Sequence, residues 1–167
     1  SKKAPTTAKV INAGINSANS DFSPAFLGDS AIVFSSTRAS QKALVRKHNW
    51  TGEAYTNLYL VTQLSKKGSQ EKDSTSAPKG LNGQINKYYN ESSAVFTKDC
   101  KTMYFTRNNQ LKNKAKTDTL NTVLLKIYKA TYDGKKWTNV KELPFNNDNY
   151  SCAHPALSVD EKELYFS

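Results

Sequence analysis

Cysteine and histidine are almost missing from this 167-residue chain, with two of each. That excludes a disulfide-stapled scaffold and argues against a zinc module. Glycine is scarce as well, at seven residues, and no glycine-rich phosphate loop or Gly-x-Ser-x-Gly nucleophile elbow occurs. No apolar run approaches the about 18 residues of a membrane-spanning helix. Ser1-Lys2-Lys3-Ala4-Pro5 leads into no apolar segment, so the chain does not read as an intact secretory precursor. Apolar residues make up 37%, below the ~45–50% of an average globular chain.

Acidic residues are also few, 14 against 24 basic ones, for a net charge of +10. Nucleic acid is the first partner such a balance suggests. Only three of the basic residues are arginine (Arg38, Arg46, Arg107), and they do not cluster. Base and phosphate recognition leans on Arg forks. The lysines fall in polar segments such as Lys66-Lys67, Lys112-Asn-Lys114-Ala-Lys116 and Lys135-Lys136. They read as a solvated surface, and no nucleic-acid partner is expected.

What is abundant is Asn, Ser and Thr, at 16, 17 and 15 residues. That composition disfavours helix and favours strands and turns. The chain also repeats itself three times. The copies begin at Asn16, Asn86 and Asn147, and each runs into a short apolar strand, an Asp-containing turn, and a second strand ending in Phe and a hydroxyl residue. The strands around Phe26/Ile32/Phe34, Phe96/Met103/Phe105 and Leu157/Leu164/Phe166 carry one bulky face. The opposite face carries Ala25/Val33, Val95/Tyr104 and Ala156/Tyr165. With both faces apolar, each hairpin should be covered on both sides, as in small sheets stacked face to face. A propeller blade has that form.

Leu58–Val61 and Leu124–Ala130 predict third strands, and Asp133-Gly134 predicts a turn into a fourth strand at Trp137–Val140. The closing Phe recurs after 71 and then 61 residues, more than the ~40–45 a bare four-stranded blade needs. The excess lies in polar segments 39–57, 64–83 and 108–122. The expected fold is all-β, with four-stranded antiparallel blades. Residues 1–14 form a linker, 15–85 and 86–145 are blades with insertions, and 146–167 start a third. Propellers close with ~4–8 blades, so about two and a half predict completion by further blades or another chain.

Two stretches carry a family likeness. They are Tyr89-Asn-Glu91-Ser-Ser-Ala-Val-Phe96-Thr-Lys-Asp99-Cys-Lys-Thr-Met-Tyr-Phe105-Thr-Arg107 and Leu143-Pro-Phe-Asn-Asn-Asp-Asn-Tyr150-Ser-Cys-Ala-His-Pro155-Ala-Leu-Ser-Val-Asp160-Glu-Lys-Glu-Leu-Tyr-Phe166-Ser. They resemble the WD40-like (TolB-type) β-propeller repeat, more narrowly the propellers of Bacteroidetes cell-envelope proteins such as the PorE-type, OmpA-family components of the type IX secretion system. The resemblance implies a periplasmic, outer-membrane-associated module in a parent held to peptidoglycan by a domain outside this chain. The turns depart from the usual Asp-Gly-Lys, being Asp29-Ser30, Asp99-Cys100-Lys101 and Asp160-Glu161-Lys162.

The residues suggest no chemistry. Asp21 and Glu91 are equivalent in two copies and could form paired carboxylates, but Cys152 stands in their place in the third. With His154, Asp29, Asp99 and Asp160 they read as structural polar groups near strand ends and turns. His48 and His154 lack companions at ligand or catalytic spacing. No catalytic residue, metal or cofactor is expected. Cys100 lies at the far end of a strand from Cys152, so both are expected as free thiols. The reading is a non-enzymatic module for protein partners in the cell envelope, with contacts expected at Arg46, Trp50, Tyr55 and Lys112. The alternative is the propeller domain of a larger envelope enzyme of serine-peptidase type, or a glycan-binding module.

Overall fold

The computed structural model describes residues 14–38, 47, 52–64, 74–87, 90–111 and 114–167. Every regular element among them is a strand, and all strands pair antiparallel. Among these residues no helix is long and apolar enough to cross a membrane.

Strands β1 (Asp21–Leu27), β2 (Ala31–Ser36) and β3 (Asn57–Leu64) form a meander. The far edge of β3 takes two short strands, β4 (Ser74–Thr75) and β5 (Lys79–Gly80). The second sheet repeats the order with β6 (Glu91–Phe96) and β7 (Thr102–Asn108), then, after a small separate hairpin of β8 (Gln110–Leu111) and β9 (Lys114–Ala115), β10 (Leu125–Tyr132) and β11 (Trp137–Glu142). A third hairpin pairs β12 (Ala156–Leu157) with β13 (Leu164–Tyr165). The polar segments 64–83 and 108–122 are therefore not plain insertions. The first holds β4 and β5, the outer strands of the first sheet, and the second holds the β8–β9 hairpin.

The stacking order follows from the two faces. One face of the first sheet, with Val33, Leu58, Leu27 and Leu60, packs on Met103, Phe105, Tyr128 and Ala130 of the second. The other face of the first sheet gathers a smaller cluster of Phe34, Tyr59 and Val61 with Ile15 and Ile32. Beyond the second sheet, the Phe166 ring stacks on Phe145 at 4.3 Å. The expected two-sided cover holds for the middle sheet and fails at the outer ones. Phe96 packs against Trp137 at 5.6 Å between ring centres, whereas its counterpart Phe26 is 75% exposed and Tyr165 is 57% exposed. Among the described residues no further sheet lies on those sides.

The missing turn glycines have a physical consequence. In the second and third hairpins Cys100 (φ 57) and Glu161 (φ 62) take the left-handed conformation themselves. The neighbouring aspartates support it. Asp99 accepts from the Lys101 N–H at 2.9 Å and the Thr97 hydroxyl at 2.6 Å. Asp160 accepts from the Ser158 hydroxyl at 2.7 Å and the Lys162 N–H at 3.3 Å. Such side-chain turns stabilise left-handed backbone that otherwise favours glycine. In the first hairpin that conformation falls to Gly28 (φ 62), beside an exposed Asp29.

The linkers between sheets are tied by asparagine. Asn86 accepts from the Leu58 N–H at 2.7 Å and donates to the Leu58 and Leu81 carbonyls at 2.9 and 3.1 Å. Asn146 does the same for Ile127, accepting at 2.9 Å and donating at 2.7 Å, with a further bond to the Leu143 carbonyl at 3.0 Å. The counterpart of Asn86 is thus Asn146 and not Asn147, because the linker before β12 is one residue longer. Next to Asn86, Gly83 (φ +96) lies so close to β11 that a Cβ would stand 2.1 Å from the Trp137 carbonyl oxygen.

Asn86→Ala leaves the buried Leu58 N–H without its side-chain acceptor, while the Leu58 carbonyl keeps the Leu81 N–H, and should cost about 1–3 kcal/mol. Asn147→Ala should cost less than about 1 kcal/mol. Urea unfolding of both variants measures the difference, and equal losses would show that the linker bonds contribute nothing particular. Gly83→Ala meets backbone rather than a yielding side chain, and should unfold at lower urea than Gly134→Ala, where nothing lies within 4 Å.

Candidate functional site

Two acid–arginine pairs sit where each linker enters its sheet. Glu91 begins β6 and faces Arg107 near the end of β7, with Nη2 to Oε1 at 2.7 Å and Nε to the same oxygen at 2.8 Å. Both are buried. The guanidinium lies over the Phe105 and Tyr128 rings at 4.9 and 5.2 Å, and the same Nη2 donates to the Gln84 carbonyl at 2.9 Å. The other carboxylate oxygen accepts the Asn86 N–H, and Oε1 also takes the Lys87 N–H at 3.3 Å. Burial pushes the Glu91 carboxyl above its ordinary range, against the pull of Arg107 and these two N–H groups.

The first sheet builds the same clamp from different spacing. Asp21 begins β1 and pairs with Arg38 at 2.7 Å. Arg38 lies over Phe34 and Tyr59 at 4.9 and 5.4 Å and donates to the Ile15 carbonyl at 3.0 Å. Asp21 accepts from the N–H and hydroxyl of Ser17. Burial alone would raise its pKa, but hydrogen bonds from Ser36, Arg38 and Ser17 bring it down to about 2. In the third copy Cys152 holds this place, buried, with its thiol pushed up by desolvation.

A second cluster lies where the first strands of the three hairpins meet. Between Phe22 and Ala25, and between Ser92 and Val95, two residues oppose one across the ladder. Ala153 and Ser167 exchange both backbone bonds while Ala156 pairs with Tyr165, so His154 and Pro155 form the same bulge. Ser23 (φ 50), Ser93 (φ 49) and His154 (φ 54) occupy its left-handed position, which bulges of this kind ordinarily give to glycine. The Ser93 hydroxyl stands 3.3 Å from that of Ser23 and 2.9 Å from Nδ1 of His154. The Ser93 N–H donates to the Ser35 hydroxyl at 3.3 Å, and the His154 N–H to the Thr106 hydroxyl at 3.0 Å. Ser23, Pro24, Ser93, Ala94, His154 and Pro155 line a cleft of ≈ 220 Å³.

A serine bonded to a histidine is half of a nucleophilic arrangement. Nδ1 faces the hydroxyl here, and no carboxylate orients the ring among the described residues. Nor do three His, Cys, Asp or Glu side chains come together to hold a metal ion among those residues. What the cluster does is bridge three hairpins by side-chain and backbone bonds.

Arg46, Trp50 and Lys112 lie outside the described residues, as does His48. Tyr55 is half-buried just ahead of β3. Cys100 and Cys152 are free thiols. The arginines of the clamps and the bulge serines escape sequence reading. Two of only three arginines follow the closing Phe of a hairpin, by four residues at Phe34 and two at Phe105, and that unequal spacing hides their common role. Comparison of the chain with protein-family profiles, curated proteins and solved structures found no match.

Arg107→Met strands a buried carboxylate and should cost about 3–5 kcal/mol. Arg38→Met should cost less, because its pair is partly open to water. Asp21 is depressed in the folded state from an ordinary value of 3.8 to about 2. Its contribution is therefore complete above the unfolded value and is lost as pH falls from about 4 toward 2. Asp21→Asn should flatten the stability profile in that window and leave its shape above pH ~5 unchanged, which urea midpoints across pH measure directly.

Proposed function

We propose that the chain comprises about two and a half blades of a WD40-like, TolB-type β-propeller serving as a non-enzymatic protein-binding module. The observation that carries this is the one-directional stack. Both sheets have the same strand order, the second sheet lays its Met103/Phe105 face on the Val33/Leu58 face of the first, and β6 packs against both β1 and β12. Repeated by rotation with the first strands crowded together, such a stack closes on itself. The uncovered Phe26 and Tyr165 occupy the faces that a preceding and a following blade would cover.

The resemblance of the repeats extends the proposal to place. The module belongs to the periplasm, associated with the outer membrane, in a peptidoglycan-tied parent of a type IX secretion or related envelope complex. Segments 39–57 and 108–122, polar and additional to a four-strand repeat in the sequence, are the contact candidates, since binding residues concentrate on loops held by a rigid frame. The bulge cluster favours the non-enzymatic reading over a serine hydrolase, because Ser93 shares its hydroxyl with two neighbours.

The test is cross-linking of the protein in its source cells with a lysine-reactive reagent, followed by fractionation and mass spectrometry. The expected result is an envelope fraction with cross-links from Lys42, Lys47 or Lys112 to another envelope protein. Recovery in the cytosol, or labelling of Ser93 by a fluorophosphonate, would overturn it in favour of a different compartment or of an enzyme.

A further inference from the structure

A cavity of ≈ 630 Å³ lies away from the bulge cluster, between the hairpin ends of the first two sheets. That is within the ~300–1,000 Å³ of small-molecule sites. Its apolar wall comes from Leu27 and Leu60 on one side and Leu81 and Trp137 on the other. Trp137 is 2% exposed, and Tyr132 packs on it at 5.3 Å between ring centres.

Three lysines line the same cavity, all exposed: Lys79 of β5, Lys101 of the β6–β7 turn and Lys135 of the β10–β11 turn. They come from three separate places in the chain, so folding and not a run in the sequence gathers them. None is ion-paired among the described residues. The one acid of the lining, Asp99, is engaged by the Thr97 hydroxyl and the Lys101 N–H within its own turn. Three cations against the one carboxylate of the lining leave the rim of the apolar wall net positive.

We infer that this cavity binds a small amphipathic anion, an aromatic body against the accessible Leu27, Leu60 and Tyr132, over a floor of buried Leu81 and Trp137, with a carboxylate toward the lysines. A flat ring can lie offset or edge-on to the Tyr132 ring, which Trp137 backs, and the anion relieves the repulsion among the lysines. The inference needs only the packing of the first two sheets and is independent of the proposed propeller. The half-buried Cys100 also lines the cavity and reports on its occupancy.

The probe is 2-naphthoate, with 2-naphthamide as its neutral twin, titrated into the full chain. Amide proton–nitrogen spectra give affinity and place, and iodoacetamide alkylation of Cys100 gives occupancy, with the buried Cys152 as control. Saturable shifts at Leu81 and Trp137 are expected. The three lysines should make the carboxylate bind about tenfold more tightly than the amide. Occupancy should slow Cys100 alkylation severalfold. Lys101→Gln with Lys135→Gln should remove most of the carboxylate preference while leaving the amide affinity unchanged. Equal affinity for the two probes, shifts elsewhere in the chain, absence of saturation, or unchanged alkylation would each overturn the inference.

Discussion

A sheet that is apolar on both faces has to be covered on both, and the rest of this structure follows from that requirement. Burying a Phe, Leu or Met side chain is worth about 1.5–3 kcal/mol. Each sheet presents several such residues to each side, so an uncovered face forfeits a large part of what holds a small sheet together. The middle sheet meets the requirement, with Met103 and Phe105 on the first sheet and Thr106 and Leu125 touched by the segment leading into β12. Phe26 and Phe96 stand in equivalent places, but Phe96 has Trp137 of its own sheet and the core shared with the first sheet against it, whereas Phe26 is left 75% exposed. Residue type therefore reflects the repeat, while exposure reflects position in the stack.

Close stacking leaves short linkers whose backbone groups run through partly buried space, and buried N–H and C=O groups need partners. Asn86 and Asn146 meet both groups of one residue on the third strand of the preceding sheet. The acid–arginine clamps meet the backbone on the entering side, with carboxylates taking N–H groups and arginines taking carbonyls. A buried ion pair adds little over a well-packed apolar substitute. Its value here lies in direction, since an apolar residue cannot hold Gln84, Asn86 and Lys87 in one register. The rings of Phe105 and Tyr128 beneath Arg107, and of Phe34 and Tyr59 beneath Arg38, offset part of the desolvation cost by cation–π attraction.

The sequence makes the hairpins legible because a repeat of Phe or Leu, then Asp, then Phe at nearly matched spacing is a strong local signal. The third strands and β11 are legible for the same reason, from β-branched and aromatic runs after turn residues. The outer strands β4 and β5 are not, since Ser74-Thr75 and Lys79-Gly80 have no strand-like pattern and pair only because β3 offers a free edge. Arg38 and Arg107 are hidden by their unequal distance from Phe34 and Phe105. A long, flexible side chain reaches the same carboxylate from either place, so spacing in sequence is a poor guide to a contact made at its tip. The register of Asn146 is lost for a related reason, as an extra linker residue moves the functional asparagine without changing composition.

The same bulge recurs in the first strand of each hairpin. An extra residue on the first strand of each hairpin bends that strand and raises its twist, and it occurs at the same point in all three. Non-glycine residues in the left-handed region carry strain of order 1–3 kcal/mol each. Ser23, Ser93 and His154 all accept it, and all three are joined by hydrogen bonds through Ser93. A hydroxyl can both donate and accept, so one serine can link the bulge on either side, which glycine at the same φ could not. The place that glycine would fill without strain is thus held by residues that bond sideways, and local backbone strain is exchanged for side-chain bonds between successive hairpins.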